Sequence, residues 1–465
     1  MSEQQSGSAP AKFLTGDLMR HVTVMALSAS IGLLSMFIVD FVDLYFISLL
    51  GDSSQTAAVG FAGTLIFFNM SLGIGLMIAM SALAAHRIGQ GNPESARSIA
   101  TSVLLVALIV GVSTSALFFA FAPQLMALIG ADGVAADRGT NYLRIVSASA
   151  PIMMIGMVCS GLLRAHGDAR RAMMATFSAG VVNAVLDPIF IFALGLELEG
   201  AAIASVFARC AMAATAIYPV IKIYGGFAPF NAEKFRSHLQ PIFGIAAPAI
   251  LTNVATPIGT LIVTRFVSAY GDEAVAGLAV MARLTPLAFC VIFALSGAVG
   301  PIVGQNFGAG LYDRVRETLR KALMFTAGYT LLIWVVLLLG RDFLVMAFSL
   351  DGAGVDILTT FVWGVAPLFF FNGVLFISNA AFNNLNRPTW STALNWGKNT
   401  IGVVPFVMIG ADMAGAPGVL IGQALGGVFF ALTGVWLAFR LASRYEAGTV
   451  KAPNEAKPVY AAARR

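Results

Sequence analysis

An all-α polytopic membrane protein is the fold class this sequence predicts, and three observations carry the prediction. Hydrophobic residues make up 58% of the 465-residue chain and charged residues 11%, whereas soluble domains carry about 25% charge. Apolar runs long enough to span a bilayer, roughly 20 residues each, recur along almost the whole chain, in line with a mean hydropathy of +0.84. The second half of the chain also restates the first. Together these predict twelve transmembrane helices in two six-helix bundles, related by a pseudo-twofold axis along the membrane normal.

Twelve runs lie near 18–50, 54–86, 97–122, 141–164, 171–195, 199–223, 239–269, 274–305, 318–340, 357–385, 389–410 and 415–441. The loops between them are short except for 224–238, which carries Pro229, Glu233, Lys234, Arg236 and His238. The expected organisation is a cytoplasmic tail over 1–17, a first lobe over 18–223 and a cytoplasmic linker over 224–238. A second lobe over 239–443 and a cytoplasmic tail over 444–465 complete it. Lysine and arginine concentrate in alternate loops, among them Arg87, Arg97, Arg170, Arg171, Arg314, Arg316, Arg320 and Lys321. That asymmetry predicts that both termini are cytoplasmic. The first 16 residues show no cleavable signal pattern, so the first span is expected to act as its own targeting signal.

The repeat is visible in particular residues. Ile88-Gly89-Gln90, then Gly91, Glu94 and Arg97, returns as Val303-Gly304-Gln305, then Gly310, Asp313 and Arg316. Gly51-Asp52 returns as Gly271-Asp272, and Ala150-Pro151 as Ala366-Pro367, always 215 to 220 positions on. Six spans separate equivalent points, so both halves share one topology, and a substrate is expected between or within them near the bilayer middle.

Function is sought among polar residues that do not belong in lipid. The first span carries Asp40 and Asp43, three positions apart and on roughly one helix face; the fifth carries Asp187. A carboxylate inside a span costs on the order of 3 kcal/mol even on the mildest scale, so it is expected to face a cavity or a partner. Asp43 lies eight residues before Gly51 and Asp187 eight before Gly195. Both therefore sit roughly 12 Å below the outer surface. Asn183 is one turn from Asp187, and Pro188 should bend the helix and free nearby carbonyls. In the second half Val263 and Phe406 stand opposite Asp43 and Asp187, so ion coupling is expected in the first lobe. Such a donor set suits a proton or a sodium ion, with Asp43, Asp187 and Asn183 as its ligands if sodium is used.

Arg209, Arg283, Asn253, Asn372 and Lys398 stand as candidates for a substrate cavity, although the three cations also fit structural or snorkelling roles. Asp40 could pair with Arg209. The run Phe369-Phe370-Phe371 reads as packing that can line a hydrophobic cavity. Cys159, Cys210 and Cys290 lie in apolar runs without metal-ligand spacing. The basic balance, pI near 9.2, is accounted for by cytoplasmic loops rather than a nucleic-acid partner. His21, His86, His166 and His238 sit near cytoplasmic ends with no nucleophile–base pair, which argues against an enzyme. A passive channel leaves the lopsided acids unexplained. No cofactor is expected beyond the coupling ion.

Val42-Asp43 leading to Gly51, the Gly89-Gln90 to Arg97 loop, Asn183-x-x-x-Asp187-Pro188 and Gly200-Ala-Ala-Ile-Ala204 together resemble the multidrug and toxic compound extrusion (MATE) family. The likeness runs from about residue 17 to 443 and is greatest to its DNA-damage-inducible protein F-like branch. The resemblance implies a monomeric antiporter in the bacterial inner membrane that exports amphipathic, often cationic, drug-like compounds. It also implies a cation site at Asp43, Asn183 and Asp187, with Ser205 where a threonine is common and Ser160 near an asparagine's place. Asp40 stands where asparagine is frequent. The sodium-coupled branch has acids in its seventh and tenth helices, where this chain has Asn253 and Asn372. A proline expected about 15 residues before the first-helix aspartate is replaced by Ser28, with Pro248 at the equivalent place in the second half. The rival transporter reading is a lipid-linked oligosaccharide flippase of the same wider superfamily, which would want a basic central cavity.

Overall fold

The computed structural model describes residues 11–50 and 52–450. Gly51 and the outermost parts of both expected tails, 1–10 and 451–465, lie outside the described residues.

The described residues are almost entirely helical and form no strand. Unit 1 comprises 31–246 with the residues up to Lys12, and unit 2 comprises Phe13–Ser30 with 247–465. In order the first elements are α1 (Leu18–Ser48), α2 (Ser53–Gly89), α3 (Pro93–Leu128), α4 (Gly133–Ala148) and α5 (Ala150–Ala165). They are followed by α6 (Ala169–Pro188), a π-helical turn over Ile189–Ala193, and α7 (Glu197–Lys222). Then come α8 (Ala232–Val267), α9 (Asp272–Ala288), α10 (Cys290–Gly308), α11 (Tyr312–Ala347) and α12 (Gly352–Thr360). A second π turn over Phe361–Val365 leads to α13 (Ala366–Asn384), α14 (Pro388–Asn399) and α15 (Val404–Glu446).

Among the described residues ten helical stretches are long and apolar enough to cross a membrane, α12 with α13 and α14 with α15 each counting as one, and α4 with α5, bent by 48°, forms an eleventh if taken as one span. The twelfth expected run is contained in the 59-residue stretch Pro388–Glu446. There the backbone leaves the helix at Ala414 and Gly415, at the boundary between the expected runs 389–410 and 415–441. The fourth span begins earlier than expected, at Gly133, because α4 carries Asp137, Arg138, Asn141 and Arg144 and does not read as an apolar run.

Local chemistry sets the helix ends. Asp52 accepts from the Ser54 amide at 2.9 Å and its hydroxyl at 2.6 Å, capping α2. Asn92 caps α3 through the Ser95 amide at 2.9 Å, with Pro93 at the first helical position. Asp168 caps α6 through the Arg171 amide at 3.2 Å.

The internal repeat reappears in the backbone. Gly91 and Gly310 have φ of 73° and 74°, and Gly195 and Gly415 both have 63°, each pair about 220 residues apart. These are left-handed positions that glycine adopts without a Cβ penalty. They also correct one motif match. α2 ends at Gly89 and α10 at Gly308, so Gln305 corresponds to His86, one helical turn away from Gln90.

The division between the units runs inside α1 and α8 rather than in the 224–238 loop. In unit 2, the Phe13 amide donates to Gln305 Oε1 at 2.9 Å, and its carbonyl accepts from Arg314 at 3.1 Å and Asn306 at 3.2 Å. Phe13 itself is 1% exposed. In unit 1, the Ala228 carbonyl accepts from Thr101 at 2.9 Å, and His238 hydrogen-bonds with Ser102 at 2.8 Å. The segment leading into each half's first long helix is therefore held by the other half's helices.

Candidate functional site

Within unit 1, α1 and α6 run side by side in the same direction. Gly32 abuts Thr176, and a Cβ on Gly180 would meet Ser35 at 3.2 Å and Val39 at 3.4 Å. These small residues let the two backbones approach, and the same register carries upward to Asp43 and Asn183. Asn183 Nδ2 donates to Asp43 at 2.9 and 3.1 Å and to Asp187 Oδ2 at 2.7 Å. Asp187 is fully buried and Asn183 nearly so. The two carboxyl groups also lie within hydrogen-bonding reach of each other.

One oxygen is left over. Asp187 Oδ1 is buried with no hydrogen-bond partner. A buried acceptor in that state carries a desolvation cost of about 1–3 kcal/mol. Two carboxylates at this distance repel, and a proton or a small cation between them removes that repulsion. The donor set is oxygen only, which matches a hard monovalent cation or a proton. Among the described residues no group of three or more His, Cys, Asp or Glu is gathered as a transition metal would need.

The backbone beside the acids is weakened in the same place. Pro188 ends α6 and gives no amide to the ladder, and the chain continues as a π turn over Ile189–Ala193. Single π turns of this kind, here closed by the Leu194 amide on the Ile189 carbonyl at 2.9 Å, commonly accompany functional sites.

Tyr142 was not singled out from sequence, yet it belongs to this neighbourhood. From α4 it stands beside Ser205 on α7 and within electrostatic reach of Asp43, Asp187 and Arg209. The structure therefore brings together Asp43, Asn183 and Asp187, with Ser205 behind Tyr142.

Asp40, exposed on α1 about one turn before Asp43, stays within electrostatic reach of it and is not joined to Arg209. The remaining candidates lie elsewhere. Arg209 instead donates to the Val146 carbonyl at 2.7 Å and to Ser149 Oγ at 2.8 Å. It thus closes the carbonyl end of α4 at the α4–α5 bend, where a cation opposes the negative helix terminus. Ser160 bonds to the Ala172 carbonyl at 3.3 Å, near the start of α6. Fifteen residues separate Ala172 from Asp187, about 22 Å along the helix, so Ser160 cannot serve the acid cluster.

In unit 2, Val263 sits in a buried apolar cluster with Val267, Val403, Val407 and Leu420, and Phe406 borders it in sequence. Asn253 donates to its own helix at Ala249, 2.8 Å away. Arg283 is exposed on α9. Lys398 on α14 donates to Asn372 on α13, and no carboxylate lies within ion-pair distance of Lys398 among the described residues. Phe369 stacks on Phe289 at 4.2 Å, which is packing.

The MatE family model matches this chain twice, over residues 29–189 and 248–409. The two matches repeat the offset seen in the backbone. A protein named FAD transporter from Shewanella oneidensis is 27% identical over 94% of the chain and 98% of its own length. The multidrug export protein MepA of Staphylococcus haemolyticus is 23% identical over 93% of the chain and 96% of its own length. Among solved structures, a MATE crystal structure in complex with MaD3S superposes with a TM-score of 0.89 at 23% identity. It covers 95% of this chain and 100% of that one.

Proposed function

This chain belongs to the MatE family, a transporter rather than an enzyme, and we propose that it is an ion-coupled efflux antiporter of the bacterial inner membrane with cytoplasmic termini. The single observation that carries the coupling reading is one amide, that of Asn183, bridging two carboxylates while Asp187 Oδ1 is left unpartnered.

The mechanism follows from that geometry. In the unloaded state the Asn183 amide is the donor both carboxylates share. A proton or sodium ion arriving from outside takes up the position facing Asp187 Oδ1 and cancels the repulsion between Asp43 and Asp187. The bonds holding α1 to α6 at Asn183 then change, and the π turn after Pro188 absorbs the adjustment because its ladder is already irregular. Substrate affinity follows whichever arrangement the ion favours, since a ligand shifts an equilibrium only by its differential affinity for the two states. One charge moving inward through 100 mV supplies about 2.3 kcal/mol, enough for modest uphill export.

For the substrate, the reading is an amphipathic drug-like compound. A second reading has a specific observation in its favour. Lys398 offers an uncompensated cation inside unit 2 beside Asn372, and a relative carries the name FAD transporter. A substrate bearing phosphate or carboxylate would suit that pair, as would a flippase cargo.

The test is transport in proteoliposomes under imposed proton or sodium gradients, with ethidium as the cationic probe and FAD as the anionic one. Asp43→Asn and Asp187→Asn should each abolish gradient-driven movement of the transported probe. Normal uphill transport by both variants would end the coupling reading.

A further inference from the structure

Unit 2 carries a second polar feature, unrelated to the carboxylates, at the end of α15. A cavity of about 150 Å³ is lined by Trp390, Leu437, Arg440, Leu441 and Arg444. We propose that it binds the headgroup phosphate of an anionic phospholipid, with one acyl chain lying along α15.

The arginines are available. The nearest carboxylate in sequence, Glu446, is held by Arg316 at 2.8 Å. Among the described residues neither Arg440 nor Arg444 is within ion-pair distance of any acid. Arg440 is also preset, its guanidinium lying 5.0 Å from the centre of the Trp436 ring. Arg387 stacks 6.0 Å from Trp390 on the other wall. An aromatic face holds a guanidinium without consuming its N–H donors, so the fork stays free for a phosphate, its natural bidentate partner.

The apolar track is on the same helix. Leu425, Phe429, Leu432 and Trp436 are all exposed on α15 and recur at three- and four-residue spacing, one face leading to Arg440. In a bilayer that face meets acyl chains, and tryptophan marks the depth of the headgroups. A stripe of this kind ending in two arginines that have no acid partner among the described residues matches the two chemistries of one lipid molecule, and basic pockets at this depth take anionic headgroups. A water-soluble anion would use the arginines but not the stripe. The proposal does not depend on the transport reading; the orientation proposed above sets only the leaflet, the cytoplasmic one.

The experiment is native mass spectrometry of the full-length protein in detergent, titrated with phosphatidylglycerol, phosphatidylcholine of the same chains, or inorganic phosphate. The expected result is preferential retention of phosphatidylglycerol. An Arg440→Gln/Arg444→Gln double variant should bind it roughly thirtyfold more weakly, with phosphatidylcholine binding unchanged. Trp436→Leu, which keeps the stripe, should weaken it less. Equal retention of the two lipids by the native protein overturns the proposal without recourse to any variant. So does undiminished phosphatidylglycerol binding by a double variant that elutes and melts as the native protein does. Displacement of phosphatidylglycerol by equimolar inorganic phosphate would assign the arginines to a soluble anion instead.

Discussion

Asp43 on α1 and Asp187 on α6 accept hydrogen bonds from the same nitrogen, Nδ2 of Asn183, at 2.9 and 2.7 Å. The arrangement makes the amide the only described donor to either carboxylate. Replacing Asn183 by Leu keeps the side-chain bulk and removes that donor. Hydrogen bonds to charged groups are worth about 1.5–3 kcal/mol, so gradient-driven transport should fall roughly tenfold to hundredfold. Efflux of the same probe down its own gradient should persist in the same proteoliposomes. If both modes are unaffected, the shared amide has no part in coupling.

How much of this was legible in the sequence depends on whether a residue's cost was visible without its neighbours. Asp43 and Asp187 were legible because a carboxylate in an apolar run is expensive wherever the helix goes, and Asn183 because it sits one turn from Asp187. Tyr142 was not, since an aromatic residue on a 16-residue helix looks like packing until α7 brings Ser205 to it. Arg209 was read as structural or snorkelling, or as a partner of Asp40, but its actual partners, a carbonyl and a serine hydroxyl at a bend, carry no charge that a sequence would reveal. Only Pro151 at the start of α5 hints that such a bend exists. Ser160 was misplaced because span number says nothing of depth. The fold was read more fully: periodic apolar runs and a repeat survive any uncertainty of packing. The Gln90–Gln305 match failed by one turn because a short motif cannot fix helical register, whereas the positive-φ glycines can.

Arg209 provides a test of structural against ligand roles. Its guanidinium satisfies the Val146 carbonyl and Ser149 Oγ at the 48° bend between α4 and α5. Arg209→Met fills the space but removes the charged donor to the Val146 carbonyl, which keeps only the Ser149 hydroxyl at 2.7 Å and amide at 3.2 Å; losing bonds from a charged group costs about 1.5–3 kcal/mol. The variant should melt several degrees below the native protein in detergent. Unchanged melting with lost substrate binding would instead make Arg209 a ligand.

The returning limb of α15 depends on absent side chains. A Cβ on Gly426 would collide with the Gly402 carbonyl, and one on Gly418 with the Gly410 carbonyl. Backbone cannot yield as a flexible side chain does, so overpacking here should cost about 1–3 kcal/mol or more. Gly426→Ala is expected to lower the melting temperature and yield. Gly328→Ala, where a Cβ meets nothing within 4 Å, serves as the control and should be neutral.

Asp168 supplies a pH dependence outside the membrane spans. Burial raises its carboxyl, but donors outweigh that: Arg171 at 2.6 Å and the Tyr224 hydroxyl at 2.8 Å leave it below the ordinary value of 3.8. A depressed native value means stability that is complete above the unfolded value and lost as pH falls through the native one. The melting gap between the native protein and Asp168→Asn should therefore be constant above about pH 5 and narrow in more acid buffer. A gap that widens on acidification would contradict the assignment.

Lys398 decides between substrate classes. Its ammonium donates to Asn372 between α14 and α13, and Gly427 on α15 leaves room beside its aliphatic stem, where a Cβ would stand 3.2 Å away. A half-buried cation inside a span without a counter-charge is costly, and an arriving phosphate or carboxylate offsets that cost only if the substrate is anionic. Lys398→Met keeps the stem and removes the charge. Under the anionic reading, FAD transport should drop at least tenfold, in line with the strength of charge-assisted bonds, while ethidium transport is unchanged. Under the cationic reading the same substitution removes a repulsive charge, so ethidium transport should be equal or better. Lys398→Arg separates charge from fit, because it retains the cation in a wider, planar form. Restoration of FAD transport by Arg but not by Met would place the substrate's anion against this pair.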